Sequence, residues 1–274
     1  MSSVQTTKDM YNARSGKYED SFHPRHARDF VQWSDIQPGH SVLDLACGTG
    51  LVSFPAVQQV GSDGSVVGVD ISEGMLWVAR QKPADGLNVR FLTGDIRNLD
   101  KVAGLQPENA KGFDRITCSS ALVLLDNPAQ AIKHWTSYLK PGGKLIIDVP
   151  SEDSLIYGSI MEKVGIKLRR PVAYYRSWVS SIESLPKLMR EAGLVIDNLF
   201  RTESYDGDDF KVKEAGEWFD SVIDKPAFRC FELTDTIDKA KKEFLNEVKK
   251  LSKGGDTIYS RLFLYVAVGR KKLS

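Results

Sequence analysis

The chain holds 274 residues, 42% of them hydrophobic and 27% charged. That is enough length and apolar content for a packed core without metal or disulfide staples, and it excludes disorder as the main state. Lys plus Arg number 37 against 36 for Asp plus Glu, which argues against a protein that lives on nucleic-acid phosphates or anionic lipid. Cys47, Cys118 and Cys230 show no metal-ligand spacing, so no metal is expected, and an odd, scattered set fits a reducing compartment. Nothing reads as a signal core or a membrane span. A cytoplasmic location is expected, with no nucleic acid and no membrane among the partners.

In chain order, residues 1–35 read as N-terminal helices. A core follows over 36–149, where short apolar runs at 41–46, 66–71, 89–93, 113–119 and 144–149 alternate with amphipathic stretches. Apolar runs that do not alternate suit a parallel sheet buried on both faces. Ser72 is placed to cap one helix, and Asp126 or Asn127 the next, which has Pro128 in its first turn. The pattern predicts an α/β fold: a Rossmann-like, seven-stranded, doubly wound sheet, mostly parallel with an antiparallel last strand. A cap insertion is expected over 150–183. The C-terminal part of the core, 184–274, resumes with a helix from about 184 and a strand at 194–201. A helical insertion at about 202–260 precedes a final strand at 261–269.

The stretch 42–50, VLDLACGTG, is the most informative. A strand ends in a Gly-x-Gly turn before a helix, which gives close backbone approach and free N–H groups to a ligand. Asp70 ends the second strand twenty residues after Gly50. A carboxylate there suits both hydroxyls of a ribose, its alternative being an N-cap for the next helix. A dinucleotide site wants a third glycine where Ser53 stands. The charge of Asp44 beside the turn favours a cationic nucleoside over a pyrophosphate.

These residues resemble motif I of the class I S-adenosylmethionine-dependent methyltransferases. Further motifs match in order: Val67-Gly68-Val69-Asp70-Ile71-Ser72 with Met75, Gly94-Asp95-Ile96, Phe113-Asp114 through Ser119, and Lys140-Pro141-Gly142-Gly143. The sequence is similar to the ubiquinone/menaquinone-biosynthesis-methyltransferase-like group, and within it to fungal small-molecule methyltransferases. The resemblance implies S-adenosylmethionine as cofactor and S-adenosylhomocysteine as product. It implies cofactor contacts from Asp44, Gly48, Thr49, Gly50 and Asp70. Ile71 and Met75 would clamp adenine, Asp95 with the backbone of Ile96 and Gly94 would read its edge, and Ser119 would face the methionine end.

The segment 11–24 resembles the stretch that closes over the cofactor in this group, with Tyr18 near the methionine and Arg14 a candidate for its carboxylate. His23 is the candidate proton acceptor; a turn role before Pro24 is the alternative. Aromatics in the insertions, with Phe22, suggest an acceptor pocket built by Phe22, Tyr174, Trp178 and Trp218, the alternative being local packing. The expected reaction is O-methylation of a secondary metabolite by a monomer or homodimer. C-methylation of a quinone or polyketide-like acceptor is the alternative. An NAD-dependent oxidoreductase and a non-catalytic cofactor-binding protein are the readings from other classes.

Overall fold

The computed structural model describes residues 3–105, 112–170, 172–205, 207–232 and 234–273. Two helices lead in, α1 (Ser3–Arg14) and α2 (His23–Trp33). The core then alternates β1 (Ser41–Leu45), α3 (Ser53–Val60), β2 (Ser65–Asp70), α4 (Glu73–Gln81), β3 (Val89–Thr93), β4 (Phe113–Cys118), α5 (Pro128–Ser137) and β5 (Leu139–Pro150). α6 (Ile156–Lys167) lies in the cap insertion. α7 (Ser184–Glu191) and β6 (Leu194–Arg201) follow. The second insertion holds β7 (Gly207–Lys211), α8 (Ala215–Val222), α9 (Thr234–Ser252) and β8 (Thr257–Arg261), and β9 (Leu264–Lys271) closes the chain. Among the described residues no helix is long and apolar enough to cross a membrane.

The main sheet has seven strands in the order β3-β2-β1-β4-β5-β9-β6. The first five are parallel, and β9 runs antiparallel to both β5 and β6. The local signals work as the sequence predicts. Ser72 Oγ accepts Met75 N–H at the start of α4, and Asn127 Oδ1 accepts Gln130 N–H at the start of α5.

The last strand expected at 261–269 is β9, which begins three residues later, and β8 lies almost wholly in the stretch expected to be helical. Residues 257–261 pair with β7 in a separate ribbon, and the chain crosses into the main sheet at Leu264. Ser154 pins the crossing, accepting from Phe263 N–H and donating to Phe263 O. β8 reads TIYSR, with only Ile258 and Tyr259 apolar, so no hydrophobic run marks it as a strand. The ribbon also shows that the insertion at 202–260 is not purely helical.

Strand parity sorts the core. Leu43, Leu45, Val67, Val69, Leu145 and Ile147 face a cluster with α5 and α7. Val42, Val66, Ile146, Val266 and Val268 face the opposite cluster, with α2 and α3. Asp44 and Asp148 share the parity of Val42 and Ile146, so both carboxylates project toward α2 and α3. A third cluster joins α6, α8, α9 and β8.

Candidate active site

The C-terminal ends of the parallel strands carry the site. β1 runs into a turn in which Gly48 and Gly50 have φ of 56° and 81°, conformations that glycine adopts at little cost. The turn directs Gly48 N–H at Asp70, whose Oδ2 accepts it at 2.8 Å. Asp70 Oδ1 accepts Ser72 N–H at 2.8 Å. One carboxylate therefore ties the glycine turn to the start of α4. Burial raises the Asp70 pKa, opposed by the N–H groups of Ser72, Gly48 and Ile71.

A cavity of about 720 Å³ lies over these ends. Ala46, Gly48 and Asp70 form its floor, and Ile71, Met75, Ile96 and Leu125 an apolar slot. Gly94, Asp95 and Arg97 line one end, Ser119, Ser120 and Ala121 the other. Val4, Thr7 and Tyr11 of α1, with Tyr18 beyond it, form the roof. Asp95 is gripped by Arg97, whose Nη2 donates to Oδ2 at 2.7 Å. Burial resists ionisation there, but hydrogen bonds from Arg97 win and hold the Asp95 pKa low. Tyr11 and Tyr18 meet edge to face at 6.3 Å. Arg14 lies over both rings, at 5.5 and 5.2 Å from their centroids. Burial pushes the Tyr11 hydroxyl up to about 12 and the Tyr18 hydroxyl well above its usual value.

The structure thus brings Tyr18, Gly48, Asp70, Ile71, Met75, Gly94, Asp95, Ile96 and Ser119 to one cavity. Asp44, Thr49 and Gly50 are not on its walls. Asp44 is wholly buried, accepting from Ser53 Oγ at 2.5 Å and Thr117 Oγ1 at 2.8 Å. Burial pushes its pKa up to about 6, against those two hydrogen bonds. It braces β1 against α3 and β4. Thr49 turns away to donate to Glu19 Oε1 at 2.6 Å. A Cβ on Gly50 would come within 2.9 Å of Phe54, so that glycine serves helix packing.

His23 stands outside the main cavity, beside Tyr18 and Phe22 at ring distances of 4.3 and 4.1 Å. Its Nδ1 is hydrogen-bonded to Ser21 Oγ at 2.7 Å. Burial first, then the charge of Arg14, lowers its pKa to about 4. It is therefore a weak base near neutrality, unlike the proton acceptor the sequence suggests.

The expected acceptor wall also separates. Phe22 packs on His23 and Tyr205. Tyr174 and Trp178 line a different hollow of about 730 Å³ with Glu162 and Leu188. Trp218 belongs to the third cluster, stacked on Phe244 at 5.3 Å and against Tyr157 at 4.0 Å.

Two features escape the sequence. Val4, Thr7 and Tyr11 share a helix face by their i, i+3, i+7 spacing, but the weak amphipathicity of α1 hides it. His26 Nε2 lies 2.8 Å from Asp148 Oδ2, the two residues 1% and 0% exposed. Their separation of 122 positions leaves only strand parity as a signal.

The donor set suits S-adenosylmethionine. It offers a strand-end carboxylate for ribose hydroxyls, an apolar slot with a carboxylate at its edge for adenine, and a buried Ser120 Oγ without a partner toward the other end.

Sheet order and cavity define a Rossmann-like nucleotide-binding architecture. A methyltransferase-domain family model matches residues 36–193, more than half of the chain, and the chain belongs to that family. A demethylmenaquinone methyltransferase of Symbiobacterium thermophilum is 36% identical over 43% of this chain and 46% of its own. A ubiquinone/menaquinone biosynthesis C-methyltransferase of Hydrogenovibrio crunogenus is 29% identical over 69% of this chain and 82% of its own. The chain spans about half the length of the first curated relatives it matches. The crystal structure of magnesium protoporphyrin IX methyltransferase from Synechocystis, with S-adenosylhomocysteine bound, shares the fold. Its TM-score is 0.52 at 18% identity, covering 92% of this chain and 84% of that one.

Proposed function

We propose that this chain methylates a small, oxygenated ring from S-adenosylmethionine, placing the methyl on carbon. The observation that carries the first part is the cavity itself, with Asp70 anchoring the glycine turn and the Ile71, Met75, Ile96 slot beside Asp95. In this reading Asp70 accepts from the ribose, the slot holds adenine, and Tyr18 with Ser119 and Ser120 surrounds the methionine end. The bound cofactor supplies an electrophilic methyl on a sulfonium. The chain's own residues align the acceptor, exclude water and take up charge, so proximity in a dry site supplies much of the rate.

The carbon acceptor is supported by relatives named as quinone C-methyltransferases. The expectation of O-methylation has no such support. A reduced quinone is flat and carries hydroxyl groups that activate the ring carbon once a proton leaves. Two measurements test the reading. Calorimetry expects S-adenosylhomocysteine to bind and NAD to leave the protein unchanged; the reverse overturns it. A ¹³C-methyl cofactor incubated with a reduced 1,4-naphthoquinone acceptor expects a carbon-bound methyl signal by NMR, whereas a methoxy signal moves the reaction to oxygen.

A further inference from the structure

The observation lies under the lid, on the α2 face of the sheet. His26 sits on α2 and Asp148 near the end of β5. Asp148 Oδ2 faces His26 Nε2 at 2.8 Å, and its Oδ1 accepts Ser120 N–H at 3.0 Å. Both carboxylate oxygens are thus occupied and the carboxylate cannot turn. A carboxylate against Nε2 selects the tautomer with hydrogen on Nε2, leaving the lone pair on Nδ1. That Nδ1 is buried with no partner in the structure. A buried acceptor left unmatched costs about 1–3 kcal/mol, so the fold bears a penalty that a bound donor would relieve.

The ring also borders a space. His26 lines a second cavity of about 350 Å³, whose walls include Tyr18, Ala46, Gly48 and Ser119. Those four residues line the main cavity as well, so the two spaces adjoin at the methionine end of the proposed cofactor site. Ser120, whose N–H is held by Asp148, lines the main cavity with its own Oγ unpartnered. The titratable groups around His26 are Asp148 from β5, Tyr205 from the segment after β6, and Tyr18 from the linker. Asp44 and Cys47 come from β1 and its turn, and His23 from the same helix. Tyr205 meets the ring edge-on at 5.0 Å, with its hydroxyl already given to Asp29.

We propose that His26 is the catalytic proton acceptor for a hydroxyl-bearing methyl acceptor, with Asp148 as its positioning residue. This rests on the methyltransferase reading above. The O–H bond of the acceptor breaks with both electrons kept on oxygen, and the proton goes to His26 Nδ1. The resulting imidazolium is held by the Asp148 carboxylate. The oxygen lone pair feeds the ring carbon that takes the methyl, as the sulfur of the cofactor keeps the electrons of the broken C–S bond. The methylated ring carbon then gives up its hydrogen to water as a proton, the electrons of that C–H bond restoring the ring, and the oxygen takes its proton back from His26, so one proton leaves per methyl transferred.

The test reads the proton directly, in the free protein and with S-adenosylhomocysteine bound. Histidine-ring ¹⁵N NMR is recorded at pH 7 with 4-nitrophenol as the probe, whose phenolate is yellow. Wild type is expected to show an Nε2–H tautomer for His26. On probe addition its Nδ1 signal should move to the protonated position and phenolate absorbance should rise. His26→Gln should lower bound phenolate about tenfold, the change that raising the phenol's pKa by about one corresponds to. Asp148→Asn should switch the tautomer to Nδ1–H while S-adenosylhomocysteine still binds. No Nδ1 shift in wild type overturns the proposal whatever the variants do, and so does equal phenolate in a His26→Gln protein that still binds S-adenosylhomocysteine. Loss of S-adenosylhomocysteine binding by wild type instead overturns the cofactor reading.

Discussion

Asn12 Oδ1 accepts Ser72 Oγ at 2.7 Å, and the same oxygen accepts Gly74 N–H at 3.0 Å. Ser72 is also the N-cap of α4. One amide on α1 therefore engages the cap and a free N–H of the helix that helps to wall the cavity. Gly74 gives the contact room, since a Cβ there would stand 3.2 Å from both the Cα and Oδ1 of Asn12. Two further ties hold the same roof: Lys82 to Glu19 at 2.6 Å, and Arg229 to Asp9 at 3.2 Å.

Asn12→Ala is expected to loosen this roof while the sheet stays folded. Losing a half-buried acceptor shared by two donors costs about 1–2 kcal/mol. Amides of residues 3–22 should then exchange about tenfold faster, and S-adenosylhomocysteine should dissociate faster with little change in its association rate. Exchange that matches wild type would mean that Asn12 is a bystander and that the other two ties carry α1.

Asp70→Ala should weaken S-adenosylhomocysteine by at least about tenfold in calorimetry, because charge-assisted hydrogen bonds to the ribose disappear. The same change strands Gly48 N–H and Ser72 N–H, so the melting temperature should fall too. Asp70→Asn keeps an acceptor oxygen and should lie between the two. Unchanged affinity in Asp70→Ala would remove the residue from the proposed ribose site.

What the sequence made legible was local or periodic. The Ser72 and Asn127 caps lie within a few residues of the groups they bond, and the glycine turn and the strand-end Asp70 are marked by their places at the ends of β1 and β2. The seven strands, mostly parallel with an antiparallel last one, also follow, because apolar runs alternate with helical stretches. What stayed hidden depends on distant partners. Asp44 carries a charge beside a ligand turn in the sequence, yet parity points it at Ser53 and Thr117. His23 and His26 read alike in the segment HPRHAR, but only His26 is one helical turn deeper and meets Asp148. The aromatic insertions look equally able to wall a pocket or to fill one. Only the fold shows that Trp218 closes the satellite cluster.

Asp44 gives a pH signature with a definite sign. Its folded pKa of about 6 lies above the usual 3.8, so the folded state binds the proton more tightly than the unfolded chain. Its contribution therefore favours folding below about 4 and is lost as pH rises through about 6. The full difference is about 3 kcal/mol at 1.36 kcal/mol per unit, an upper figure for so buried a group. Asp44→Asn should remove that slope. In urea unfolding at pH 4, 5, 6 and 7, wild type minus variant should decline with rising pH. A difference that is flat, or that rises with pH, would show that Asp44 is ionised at no cost in its Ser53–Thr117 site.

Trp218 separates a pocket role from a packing role. Its ring lies against Tyr157 at 4.0 Å and stacks on Phe244 at 5.3 Å with planes 14° apart. Phe244 is itself fully buried in the cluster that joins α6, α8 and α9. Truncation would remove two aromatic contacts and open a void where α9 meets α6. Trp218→Ala should therefore destabilise the protein by about 2–3 kcal/mol, somewhat less than a wholly buried tryptophan loses. S-adenosylhomocysteine affinity should hold near wild type at temperatures below the transition, because Trp218 itself does not line the cavity. Trp218→Phe keeps a ring in place and should recover most of the stability. A variant with wild-type melting temperature and wild-type cofactor affinity, but a raised acceptor KM, would move Trp218 out of the core and into the acceptor pocket.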